Sequence, residues 1–152
     1  MADVLEAKLA LARDTRTPGK TLAKLAGHKS WALRADVASN PRTPSKALVR
    51  LADDKRWEVR TEVALNQNSG SKVLDALALD GHMAVRTAVA LNPKAPSSAL
   101  RRLAKDKSSV VRLRVAENRS APAGVLRRLS SDDDRDVRRA AGANHHTPKK
   151  VK

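Results

Sequence analysis

Lys20 and Lys24 stand four residues apart, as do Lys46 and Arg50, and residues four apart on a helix project from one face. Lys72 continues the first of these columns 26 residues on, and Arg102 and Arg128 continue the second beside Arg101 and Arg127. Lys29, Lys55 and Lys107 make a third column on the same spacing. In the two columns that include Arg101 and Arg102, only Asp75 supplies a carboxylate, whereas a merely soluble face mixes both signs. Cations repeated in register suit charge-assisted contact with a row of anions, for which a phosphate backbone is the usual partner.

The whole composition leans the same way. Among 152 residues, 31 Lys and Arg face 16 Asp and Glu, a formal charge of +15. Such an imbalance costs self-repulsion in the compact state, and a polyanionic partner offsets it. Nucleic acid comes first, an anionic membrane surface second and an acidic protein third. The charge is uneven along the chain, because residues 66–91 carry two cations and two anions and form a neutral gap.

Other chemistries find little support. With no Cys, there is no disulfide, thiolate metal site or cysteine nucleophile. His28 and His82 are scattered and His145 and His146 are adjacent, which makes no ligand set. The cluster Asp132, Asp133, Asp134 and Asp136 reads as carboxylates at a helix N-terminus, with Arg135, Arg138 and Arg139 close behind, rather than as a cation site. No Gly-rich phosphate loop and no nucleophile with a recognisable base occurs. The expectation is a protein without metal, cofactor or catalytic activity. No apolar run approaches the ~18 residues of a membrane span, so a soluble cytoplasmic protein is expected.

The elements that must position these cations follow from an internal repeat. "NPRTPSKALVRLADD" from Asn40 returns as "NPKAPSSALRRLAKD" from Asn92, and Asn66 falls midway. The period of 26 gives five units over residues 14–143. Leu22, Leu48, Leu74, Leu100 and Leu126 fill one column without exception, and Leu25, Leu51, Leu77, Leu103 and Leu129 fill another. Leu33, Val59, Val85, Val111 and Val137 make a third, with Val37, Val63, Val89, Val115 and Ala141 four residues on. Repeats of this length are single supersecondary units that bury their apolar faces only by stacking.

Each unit resolves into two helices. In the second, Thr43 reads as the N-cap of helix A with Pro44 at its first position. Leu48 and Leu51 then share a face as far as about Ala52. After "DDKR", helix B is "WEVRTEVAL", with Val59 and Val63 on one face. Asn66 ends it, a residue that tolerates the left-handed conformation common at helix C-termini.

The recurring Asn-Pro-x-Thr-Pro, Leu-x-x-Leu-Ala, Asp, Val-Arg-x-x-Val-Ala-x-Asn resembles the variant leucine-rich repeat, a relative of short HEAT-like helical repeats. The resemblance runs from about Asp14 to the end. It implies an all-α, right-handed superhelix of paired helices, and it says little about function. Gln67 and Gly70 in the third unit, and Asp14 and Thr15 in the first, depart from the pattern and put the local turns in question. Residues 1–13 read as a lone helix in the helix B register that covers the first unit. Residues 144–152, "NHHTPKKVK", begin a sixth unit and stop, a basic tail expected to be disordered.

The unbroken column Arg34, Arg60, Arg86, Arg112 and Arg138 could track phosphates. It reads first as structural, because Asp54, Asp80, Asp106 and Asp132 precede the last four by six residues and such repeats use Asp and Arg as an internal ladder. His28 takes the Asp position in the first unit, which leaves Arg34 without that partner. Trp31 and Trp57, followed in their column by Met83, could stack on bases or insert at a groove, but are expected first to cover the core at the start of helix B, and scarce aromatics argue against a stacking platform.

The candidate interface is therefore Lys20, Lys24, Lys29, Lys46, Arg50, Lys55, Lys72, Arg101, Arg102, Lys107, Arg127 and Arg128. The expected function is non-enzymatic contact with the backbone of duplex DNA, which would make the protein nucleoid-associated. A scaffold for an acidic protein and an RNA- or ribosome-associated factor are the alternatives. A DNA glycosylase ranks last, because no acidic residue in an aromatic-lined cleft can be assembled.

Overall fold

A computed structural model describes residues 2–146, and they contain eleven helices and no strand. These are α1 (Ala2–Arg13), α2 (Gly19–Leu25), α3 (Trp31–Ser39), α4 (Ser45–Leu51), α5 (Trp57–Leu65), α6 (Ser71–Leu77), α7 (Met83–Leu91), α8 (Ser97–Leu103), α9 (Ser109–Glu117), α10 (Ala123–Leu129) and α11 (Arg135–Ala143). The even-numbered helices are the A helices, the odd-numbered ones from α3 the B helices, and the period is kept throughout. Of the tail expected to be disordered, residues 144–152, Asn144 is held by hydrogen bonds to Ala116 O and Asn118 O, and residues 147–152 lie outside the described residues.

Two layers form one continuous core. The first Leu column of the A helices is fully buried in every unit, as are Leu33, Val59, Val85, Val111 and Val137 of the B helices. Burying each such side chain contributes roughly 1.5–3 kcal/mol, and stacking extends that burial from unit to unit. The second Leu column is buried from Leu51 onward, while Leu25 is only partly covered. Consecutive B helices pack closely, and α1 joins their row beside α3. Consecutive A helices touch sparsely. A stack tight in one layer and open in the other curves toward the tight layer, which puts the A helices on the outer surface. Ala12, Ala38, Ala64, Ala90 and Ala116 recur along this row as fully buried small residues, which suits close helix approach.

The helix boundaries correct two expectations. Pro18, Pro44, Pro96 and Pro122 stand at the N-cap rather than the first helical position, extended and without a side-chain cap. Gly70 adopts the same conformation with φ −71° and ψ 159°, so the departure from Pro leaves the turn unchanged. Thr43 does not cap helix A. Its Oγ1 donates back to Val37 O, and Thr17 and Ser69 donate likewise to Leu11 O and Val63 O, closing the end of the preceding helix.

The Asn column is not left-handed either. Asn66 has φ −70° and ψ 127°, and no described non-Gly residue has positive φ. These Asn side chains join the repeats. Asn66 Nδ2 donates to Ala38 O at 2.7 Å and Asn40 O at 3.0 Å, both at the C-terminal end of the preceding B helix, α3, while Oδ1 accepts the Asn68 N–H at 2.8 Å. Asn40, Asn92, Asn118 and Asn144 repeat the rung. Asp14 keeps the accepting half, taking the Arg16 N–H at 2.8 Å, and has no side-chain N–H to give. At about 1 kcal/mol net per hydrogen bond, with a further desolvation penalty if a buried partner is left unsatisfied, each rung stabilises the stacking of one repeat on the next.

Candidate nucleic-acid interface

The cations divide into two sets by their partners. Arg34, Arg60, Arg86 and Arg112 form the first set, and each makes a two-pronged ion pair with an Asp twenty residues ahead, in the next unit. Arg86 Nε and Nη2 meet Asp106 at 2.7 and 3.1 Å, and Arg60 meets Asp80 at 2.6 and 3.0 Å. The remaining arm, Nη1, donates to the backbone carbonyl six residues back, Asp80 O for Arg86. The ladder is therefore structural, as expected, but it runs between repeats. Arg34 consequently has a carboxylate, Asp54, at 2.6 Å. Arg138 is the member without an ion pair among the described residues: it is exposed, and its Nη1 donates to Asp132 O and Asp133 O.

The Asp side chains are held from two directions. Asp106 Oδ1 also accepts the Ser108 N–H at 3.0 Å, and Asp54, Asp80 and Asp132 accept the corresponding N–H two residues on. Burial alone would raise the carboxyls of Asp54, Asp80 and Asp106. The paired guanidinium and the backbone N–H outweigh it, leaving all three below the ordinary carboxylate value. At Asp132 the Arg112 hydrogen bond dominates, with the same result. His28 takes over part of the Asp role, its Nδ1 accepting the Ser30 N–H at 3.1 Å. That bond needs a neutral ring. Burial, then Lys8, Lys29 and Arg34, push the His28 pKa down.

The second set comprises the twelve cations marked in the sequence. All are exposed, and among the described residues none takes part in an ion pair. Lys20 and Lys24 lie on α2, Lys46 and Arg50 on α4, Lys72 on α6, Arg101 and Arg102 on α8, and Arg127 and Arg128 on α10. All of these are outer helices, while Lys29, Lys55 and Lys107 occupy the turns from A to B. Arg50 reaches the turn of the preceding unit, its Nη2 3.6 Å from where a Cβ on Gly27 would stand. Arg102 Nη1 touches Asp75 O at 3.5 Å, and the Asp75 carboxylate is engaged by Ser98 Oγ at 2.7 Å.

Because the A helices stand apart, grooves open between them. One of about 570 Å³ has the Arg112–Asp132 pair in its lining, together with Lys105, Arg127, Arg128 and Asp133. The sequence pattern missed Lys105, as well as the exposed Arg42, Lys94 and Arg119 on the loops from B to A. Arg16, Arg42 and Lys94 share a 26-residue column, which would have revealed that edge.

The Trp expectation fails. Trp31 and Trp57 are 42% and 39% exposed at the ends of the B helices and do not cover the core. The Arg56 guanidinium lies over Trp31, 4.7 Å from the ring centroid, and His82 stacks on Trp57 at 4.1 Å and 7°. In both pairs the residue at the start of helix B meets the one 25 positions ahead. Met83 and Ser108 repeat the contact, with Ser108 Oγ 3.2 Å from Met83 Sδ.

With paired helices, stacked units and inter-repeat ladders in place, the chain is a helical repeat protein. The family model for the leucine rich repeat variant matches residues 84–108, which bears out the resemblance seen in the repeated motif. The crystal structure of an engineered protein superposes with a TM-score of 0.52 at 19% identity, covering 90% of this chain and 86% of that one, a likeness of fold. No curated protein matches the chain. No helix among the described residues is long and apolar enough to cross a membrane, and no group of three or more potential metal ligands occurs among them.

Proposed function

We propose that this repeat scaffold is a non-enzymatic nucleic-acid-binding protein that grips the backbone of duplex DNA through the cations of its A helices and A-to-B turns. In this reading residues 14–143 carry the surface, residues 1–13 cap its first unit, and the protein works in the cytoplasm on the nucleoid. The observation that carries it is the segregation of charge. Four Arg residues are consumed by the inter-repeat ladder, while twelve exposed cations have no carboxylate. Leaving them unpaired costs self-repulsion that an external polyanion removes. Contacts of this kind hold a phosphate backbone without reading bases.

The test is a titration of labelled duplex against the wild type and a variant with Lys20, Lys24, Lys46 and Arg50 changed to Gln, at several salt concentrations. These side chains are exposed, so the variant keeps its fold. If each meets a phosphate, the slope of log affinity against log salt flattens by about 0.9 per contact, between three and four units in all. An unchanged slope rejects this surface. A scaffold for an acidic protein would bind duplex weakly and show no such loss, and parallel titrations with duplex RNA separate the RNA-associated alternative.

A further inference from the structure

The edge formed by the A-to-B turns carries groups that backbone contact does not use. Trp31 and Trp57 expose flat apolar rings on consecutive B helices. Between and beyond them lie the Arg56 guanidinium on Trp31 and the His82 ring parallel to Trp57, so planar groups follow one another along the edge. Arg56 is held over Trp31 by a forked pair with Glu58, at 2.6 and 3.1 Å. Two residues before each Trp stands an exposed cation without an ion pair, Lys29 before Trp31 and Lys55 before Trp57. Arg50 lies over Gly27 in the same turn as Lys29. The aromatic part is confined to this end of the array, because Lys107 is followed by Ser109 in the Trp column.

Holding the repeats together does not require an indole here, since the Met83–Ser108 contact occupies the same place in the next unit. What a half-exposed indole adds is aromatic surface beside the face that Arg56 covers on Trp31 or His82 on Trp57. Aromatic surface bordered by free ammonium groups complements one kind of ligand, an unpaired nucleobase with phosphates on either side. Bases inside a duplex are stacked on each other and cannot reach it. We infer that the Trp31–Trp57 edge is a stacking site for unpaired bases, with Lys29, Lys55 and Arg50 on the flanking phosphates. The inference rests on the nucleic-acid reading above and adds single-stranded segments to its ligands.

Trp31 and Trp57 are the only Trp residues and there is no Tyr, so intrinsic fluorescence reports on this edge alone. The experiment titrates an unlabelled oligothymidylate of about twelve nucleotides, within the length such strand-binding surfaces accommodate, and follows Trp emission. Anisotropy of a labelled copy measures binding in parallel, and a duplex of equal length is the control. The strand is expected to quench the emission and the duplex to leave it nearly unchanged. Trp57→Leu should weaken strand binding roughly five- to a hundredfold, as loss of one base-stacking ring does, while Trp57→Phe retains most of it. Melting curves confirm that both variants are folded.

Strand binding without quenching, or equal affinities for the Leu and Phe variants, overturns the stacking site and leaves the backbone reading standing. A lower melting temperature for Trp57→Leu at unchanged affinity identifies the indole as an inter-repeat contact and also overturns it. No binding of strand or duplex by anisotropy removes both proposals together.

Discussion

Arg86 and Arg102 stand sixteen residues apart, belong to columns of the same period and carry the same group, yet they live in different environments. The Arg86 side chain is 9% exposed, forks onto an Asp106 that is 7% exposed, and spends its last arm on a backbone carbonyl. Arg102 is exposed on an outer helix and finds one backbone carbonyl at 3.5 Å. The difference is whether a carboxylate stands in the adjoining repeat at the right height. A guanidinium that has one becomes part of the frame, and one that lacks it keeps its charge for an outside partner. Periodicity alone makes no distinction between the two.

The comparison breaks most sharply at Arg86. Replacing it with Ala strands Asp106 in a nearly buried position, and breaking such a pair by removing one partner costs about 3 kcal/mol, the low end of the usual range because Asp106 keeps the Ser108 N–H. Chemical denaturation should show that loss, with Lys46→Ala close to the wild type. Equal midpoints for the two variants would abolish the division into frame and surface.

Asn92→Ala comes next. It removes two hydrogen bonds to the C-terminal end of α5, to Ala64 O at 2.8 Å and Asn66 O at 3.2 Å, from a side chain that is almost fully buried. A loss of about 2 kcal/mol is expected, since both carbonyls give up a partner away from water. Hydrogen exchange should show faster opening where the C-terminal ends of α5 and α7 meet.

Acid sharpens the contrast from another side. The ladder Asp residues have folded pKa values below their ordinary value of 3.8, so they bind fewer protons folded than unfolded in that range. Their contribution is therefore fully present above that value and is lost as the pH falls through the lowered folded values. The melting temperature should not vary with pH on account of these groups between neutrality and about pH 5, where their contribution is complete, and should fall steeply below about pH 4. Arg86→Ala should show a shallower acid loss. An identical acid profile would mean that the pairs do not set the pKa values.

The smallest effect belongs to Arg138, which shares the Arg86 column but has no carboxylate partner among the described residues. Arg138→Ala should change stability by less than about 0.5 kcal/mol, the range of ordinary surface substitutions. A loss as large as that of Arg86→Ala would locate the stabilisation in the carbonyl contacts, which both residues make.

Much of this protein was legible in its residues. The period, the two Leu columns and the span of helix B in the second unit, residues 57–65, follow from apolar spacing, because a unit that cannot bury its own face must repeat the same face. The twelve exposed cations were legible for a related reason: a Lys or Arg on the polar side of an amphipathic helix has nowhere to go but outward. The exposure of the Trp pair was not, because a large apolar residue beside the core columns reads as core until the neighbouring unit is in place.

Register across the repeats was decided by the tertiary structure alone. An Asp six residues before an Arg and an Asp twenty residues after it occupy the same column, since the two offsets sum to one period. Translational symmetry makes the pairing within a unit and the pairing between units identical in the sequence. Stacking breaks the tie by bringing the next unit's Asp within 2.6 to 2.8 Å of Nε. The same holds for Asn, read as a helix terminator within its own unit and found donating to carbonyls 26 and 28 residues back. The sequence determined which residues repeat. Only the packing of one unit on the next determined which of them hold the array together and which remain free to bind.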